Sequence, residues 1–133
     1  MIEIIYGPKG FGKTKMIIDK ANATKDTDVC VFITDTDRYM YDIKRDVRFV
    51  NAKDFDIVTE LGFLGFIRGL LSGNYDIRKI FIDGASRITS ANINDMGDFY
   101  EKLEKIAEKA NVDFVLTVSM AEEDLPDFIK KFI

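Results

Sequence analysis

Four short apolar runs constrain this chain more than any other feature: residues 1–6, 29–33, 79–82 and 112–118. Each has strand length and is nearly continuously apolar, as expected of strands covered on both faces. Helix-period segments separate them. Ile17, Ile18 and Ala21 follow Lys13 at helical spacing. Met96, Phe99, Tyr100, Leu103, Ile106, Ala107 and Ala110 recur at i, i+3, i+4 and i+7, the clearest amphipathic helix in the sequence. Residues 61–71 read as a helix despite Gly62, Gly65 and Gly69, which point first to close packing against a sheet and second to a partner surface. Leu125, Phe128, Ile129 and Phe132 make a last helical stripe, with Pro126 in its first turn. Residues 47–50 suit a short edge strand, and 38–45 a loop or one or two helical turns.

Strands alternating with helices predict an α/β fold: three layers, α/β/α, around a mainly parallel sheet. At 133 residues the chain makes one domain, spanning residues 1–133, long enough to bury its own core. Right-handed crossovers would bring the strand ends at Gly7, Asp35, Asp83 and Thr117 to one edge of the sheet. All four ends are polar or glycine, as a ligand-binding edge requires.

Charge and composition narrow the function. A net charge of -4 gives no general attraction to nucleic acid or anionic lipid, and no basic, aromatic-studded loop compensates, so nucleic-acid binding is not expected. The absence of histidine removes the commonest general base and the commonest zinc ligand together. Cys30 is the single cysteine and sits in an apolar run, compatible with a buried thiol in a reducing compartment. The start of the chain lacks the basic-then-apolar pattern of a secretory signal. The most apolar stretch, 61–71, is well short of the ~20 residues of a membrane span. A cytoplasmic protein without membrane partners is the expectation.

The segment Gly7-Pro8-Lys9-Gly10-Phe11-Gly12-Lys13-Thr14 fits the pattern G-x-x-x-x-G-K-[ST] without a mismatch. Its place, after a predicted strand and at the start of a predicted helix, is the one the mechanism needs. Glycines let the backbone curl so that N–H groups can meet phosphate oxygens, and the helix adds its positive end. Residues Gly7, Pro8, Lys9, Gly10, Phe11, Gly12, Lys13, Thr14 and Lys15 are therefore expected to cradle a nucleotide's phosphates. Lys13 would reach the β- and γ-phosphates and Thr14 would ligate Mg²⁺. A second carboxylate anchor for the metal is expected at Asp83, which ends the apolar strand Ile80-Phe81-Ile82.

At these two motifs the chain resembles P-loop NTPases, and the Gly-Pro opening with the strand order looks most like their RecA-like branch. The resemblance implies a strand lying between the P-loop strand and the aspartate strand, ending in a polar sensor of the γ-phosphate. Thr117 or Ser119 would fill that role. Many relatives carry a water-activating glutamate directly after the magnesium aspartate; here that position is Gly84. In RecA-like recombinases the glutamate ends the second strand instead, and the matching stretch here offers Asp37 or Asp35. The chain stops one helix after the Thr117 strand, so a fifth core strand and a large substrate-binding region are expected to be missing.

The resemblance implies ATP as ligand with Mg²⁺, and slow hydrolysis to ADP and phosphate. Arg87 and Arg38 are candidates to act in a neighbouring subunit's site, which would require a homo-oligomer or protein partner. Two other readings stand beside it. A small kinase would use 38–45 as its only possible lid, and a non-catalytic module would use ATP as a signal. ATP rather than another nucleotide is a default, since no guanine-reading aspartate signature is evident.

Overall fold

The computed structural model describes residues 1–133. Five strands, β1 (Ile2–Gly7), β2 (Val29–Thr34), β3 (Val47–Asn51), β4 (Ile77–Ile82) and β5 (Asp113–Ser119), form one sheet in the order β1-β5-β4-β2-β3. Every neighbouring pair is parallel. The strand that ends in Thr117 and Ser119 thus lies between β1 and the strand that leads to Asp83. No strand follows β5, and the edge strand expected at 47–50 is present as β3, paired in register with β2 at the edge opposite β1.

Five helices connect or follow the strands: α1 (Lys13–Asn22), α2 (Glu60–Gly73), α3 (Ala85–Thr89), α4 (Gly97–Ala110) and α5 (Asp127–Lys130). The chain steps outward from β1 to β2 and β3, then reverses through β4 to β5. Right-handed crossovers in opposite directions must lie on opposite faces. The cores follow this rule. Ile5, Phe32, Phe81 and Val115 face Ile17, Ile18 and Ala21 of α1. Ile4, Ile33, Ile82 and Leu116 face the other way, into a larger core with Phe63 and Ile67 of α2 and Phe99 and Leu103 of α4. The result is three layers, with α1 on one face and the remaining helices on the other. No helix is long and apolar enough to cross a membrane.

Two elements differ from the sequence reading. The stripe at 125–132 forms only one short helix, α5, preceded by a 3-10 turn at Glu122–Asp124. Its aromatics are held instead by tertiary contacts, Phe128 and Phe132 packing on Tyr100. Of the three α2 glycines read as close-packing, Gly65 and Gly69 have open space where a Cβ would stand, whereas a Cβ at Gly62 would lie 3.0 Å from Oγ1 of Thr59, the residue that caps the helix.

Candidate functional site

The loop between β1 and α1 is shaped by two left-handed glycines, Gly10 at φ 87° and Gly12 at φ 89°. A side chain there would cost roughly 1–2 kcal/mol per residue in backbone strain. Gly7 is needed for a different reason: the Phe11 ring packs over it, and a Cβ would lie 2.7 Å from that ring. The Pro8 carbonyl closes the loop by accepting the Phe11 N–H at 3.1 Å and the Lys13 ammonium at 3.1 Å. Inside this turn the N–H groups of Lys9, Gly10, Gly12, Lys13, Thr14 and Lys15 donate to no protein acceptor. The first backbone bond of α1 runs from the Met16 N–H to the Gly12 carbonyl. Helix α1 has no side-chain cap and no acidic residue in its first turn. Its positive end is left open to an anion.

Register brings the other residues to this point. Along β4 the side chains of Phe81 and then Asp83 project to the α1 face, and along β5 Val115 and then Thr117 do the same. Asp83, 2% exposed, consequently meets the first turn of α1: Thr14 Oγ1 donates to Asp83 Oδ2 at 3.0 Å. On its other oxygen, Asp83 accepts from Thr117 Oγ1 at 2.7 Å, and Thr117 Oγ1 in turn accepts the Gly84 N–H at 3.0 Å. Of the two residues read as γ-phosphate sensors, Thr117 is therefore buried and committed to Asp83. Ser119 is exposed and lines the cavity described next.

That cavity, about 560 Å³, opens at the carboxyl edge of the sheet. It is lined by Lys9, Gly10, Gly12, Lys13 and Thr14 of the loop and first helical turn, and by Asp35, Thr36, Arg38 and Tyr39 after β2. Asp83 and Arg87 after β4, and Ser119 at the end of β5, complete it. Open α/β sheets bind ligands at this edge, where adjacent strands send their connections to opposite faces. The lining carries four cations, Lys9, Lys13, Arg38 and Arg87, against two carboxylates, Asp35 and Asp83. It is a local reversal of sign on a chain of net charge -4. Lys13 is almost fully buried, and that burial pushes its ammonium below the ordinary lysine range. Asp83 opposes the effect and Arg87 adds to it.

The residues expected from the sequence fare differently. Lys13, Thr14, Asp83 and Asp35 converge on the cavity. Asp37 does not line it, and its carboxylate is held by the Asn51 side-chain amide at 3.1 Å. The Lys15 side chain turns outward to Asp19, 3.1 Å away, so only its backbone N–H belongs with the loop. Arg38 and Arg87, considered for a neighbouring site, both line the cavity of their own chain. Arg87 pairs with Asp35, Nε to Oδ2 at 3.2 Å and Nη2 to Oδ1 at 3.4 Å. Sequence reasoning missed Arg87 as a member of its own site. The available signal was its position four residues past Asp83, one helical turn on. Tyr39, read from the sequence as part of the possible lid at 38–45, is a wall of the cavity.

Thr14 and Asp83 together offer a hydroxyl and a carboxylate, hard oxygen donors 3.0 Å apart. Such a pair suits Mg²⁺, which commonly takes one or two protein ligands and completes its shell with water and substrate phosphate. No group of three or more histidine, cysteine, aspartate or glutamate side chains gathers as an all-protein metal cage. Compared with known proteins, the chain matches no family model and no curated protein.

Proposed function

We propose that this chain is a Mg²⁺-dependent ATP-binding protein of the P-loop NTPase kind that slowly hydrolyses ATP to ADP and phosphate. One observation carries the reading. On an acidic chain, six backbone N–H groups without protein acceptors surround a nearly buried lysine at the open end of α1. Only Lys13 and Thr14 of these are buried or half-buried, but the six N–H groups and the Lys13 ammonium together make an anion cradle, and a polyphosphate supplies several acceptors at once.

In this reading the loop amides and Lys13 hold the β- and γ-phosphates, and Thr14 and Asp83 hold magnesium, which supplies charge neutralisation between phosphate oxygens when bound. Thr117 fixes the Asp83 rotamer, and Ser119 is the residue free to meet the γ-phosphate. Asp35, the cavity carboxylate other than Asp83, orients the attacking water, while Asp37 is occupied with Asn51. Phosphoryl transfer of this type is mostly positioning and charge stabilisation, so modest rates follow from a site with a short carboxylate base. A cytoplasmic setting, where ATP and magnesium are abundant, fits this chemistry. A protein partner or second copy remains part of the proposal as a source of faster turnover.

A second reading, transfer of the γ-phosphate to an acceptor, is favoured by one feature. Tyr39 is shared between the cavity and an adjoining polar hollow of about 430 Å³ along α1, walled by Lys15, Asp19, Asn22 and Asp42. Phosphate release from Mg-ATP, followed with and without hydroxyl and amine acceptors, separates the two. Acceptor-independent release abolished in Lys13→Ala supports the ATPase, and ATP loss that needs an acceptor supports the kinase. Binding without turnover leaves a nucleotide sensor. No affinity for any nucleotide in magnesium overturns all three.

A further inference from the structure

We propose that Arg87 and Asp35 form a latch worked by the terminal phosphate of the nucleotide. A bound triphosphate draws the Arg87 guanidinium off Asp35, and the released carboxylate then orients the water. The inference rests on the nucleotide reading above and adds a regulatory step to it.

The pair is built to open. Both partners line the cavity, the Arg87 side chain is half exposed, and the contact is a two-point ion pair at 3.2 and 3.4 Å. Exposed pairs of this kind hold weakly against a competing partner. A phosphate group offers the same guanidinium shorter, charge-assisted bonds and a larger charge. Arg87 is also within reach of the phosphate end of the site. Its Nη2 lies 3.4 Å from the Asp83 carbonyl and 4.0 Å from Asp83 Oδ2, the oxygen that Thr14 bonds. Arg87 and Lys13, two like charges, both line this space. An anion entering between them is attracted by both.

Gly84 makes the arrangement possible. At φ 86° it carries no side chain, and the guanidinium rests where a Cβ would stand. The charged groups facing the pair are Lys9, Lys13, Arg38 and Asp83, and none of them bonds Asp35. The hydroxyl of Thr34 reaches Asp35 Oδ1 only at 3.4 Å. Once Arg87 leaves, Asp35 therefore has an open carboxylate facing the cavity. In the step that follows, the water oxygen bonds the terminal phosphorus and the bond to the bridging oxygen breaks. ADP departs with that electron pair, and the water proton passes through Asp35 to the released phosphate. Without a triphosphate the base stays tied to Arg87.

The test uses the wild type, Arg87→Met, Asp35→Asn and the double variant. It measures binding of Mg-ADP and of the Mg complex of the β,γ-imido triphosphate analogue by calorimetry, together with single-turnover ATP hydrolysis. Arg87→Met should weaken the triphosphate analogue about tenfold or more while ADP affinity stays within about twofold. Asp35→Asn should raise the preference for triphosphate over diphosphate about threefold yet slow hydrolysis at least tenfold, because it frees Arg87 and removes the base. In the double variant the Asp35 substitution should no longer change that preference. Additive effects on the preference, or a preference lowered by Asp35→Asn, would overturn the latch. If the wild type binds ADP but shows no coupling, the latch alone falls. If it binds neither ADP nor the triphosphate analogue, the nucleotide reading falls and the latch with it.

Discussion

Thr117 holds Asp83 by a hydroxyl used in both directions, donating to Asp83 Oδ1 at 2.7 Å while accepting the Gly84 N–H at 3.0 Å. Both bonds are buried. Thr117→Val keeps the shape and removes both, leaving a carboxylate oxygen and an amide without partners. Such orphaned groups cost about 1–3 kcal/mol. Urea denaturation should show that loss. A purely structural role would end there, whereas a loosened Asp83 should also weaken nucleotide binding more in magnesium than in EDTA. Equal weakening in the two conditions would argue that Thr117 does not serve the metal position.

In the proposed reading Gly84 directly follows the magnesium aspartate, and its left-handed backbone disfavours any side chain there. At φ 86° any side chain is strained, and a Cβ would collide with the Arg87 guanidinium. Gly84→Ala should therefore cost about 1–2 kcal/mol from the backbone alone. Gly84→Glu should be no faster as an ATPase than the wild type, because the new side chain displaces Arg87. Thermal melts and phosphate release on the two variants check both halves. A Gly84→Glu protein of normal stability and raised turnover would contradict this account.

The strand ends were legible because their chemistry is local. Apolar runs terminated by Gly7 and Asp83 fix where two strands stop, and crossover handedness fixes on which edge they stop. The GPKGFGKT loop was equally legible, since left-handed turns at Gly10 and Gly12 and an open helix start follow from residue type. Choices between near neighbours were not. Asp35 and Asp37 differ by two residues, and only the Asn51 amide, arriving from β3, removes Asp37 from the cavity. Thr117 and Ser119 differ in the same way, and which of them is spent on Asp83 depends on the register of β4 with β5. Arg87 carried only its spacing from Asp83 as a signal, because the short helix α3 has too few residues to leave a periodic pattern. Gly65 and Gly69 misled because small residues usually mark close approach, and here the space beside them is open.

That open space has a consequence for stability. Gly65 and Gly69 lie inside a regular helix, neither has a positive φ, and a Cβ at either meets nothing within 4 Å. Gly65→Ala and Gly69→Ala should each stabilise the protein by roughly 0.5–1 kcal/mol by reducing backbone freedom in the unfolded chain. Because neither touches the cavity at the carboxyl edge, nucleotide affinity should not change. A loss of stability in either variant would mean that the α2 surface is closed over in solution.

Lys13 presents the reverse balance, a buried charge whose desolvation works against the nucleotide-free fold. Burial lowers its folded-state proton affinity, and the contrary pull of Asp83 does not cancel the effect. The unfolded chain keeps that proton up to the ordinary value of 10.5, so between the two values the unfolded state binds more protons and stability rises with pH. Below the folded value the full penalty is present. Lys13→Met keeps the aliphatic packing and removes the charge, and the Pro8 carbonyl still accepts the Phe11 N–H. The variant should melt above the wild type at neutral pH, and the gap should narrow as pH rises toward 10.5. Mg-ATP should raise the wild-type midpoint and leave that of Lys13→Met unmoved. Thermal melts across pH, with and without nucleotide, measure all three. A variant less stable than wild type at pH 7, or a gap indifferent to pH, would show that Lys13 is held by interactions that outweigh its desolvation.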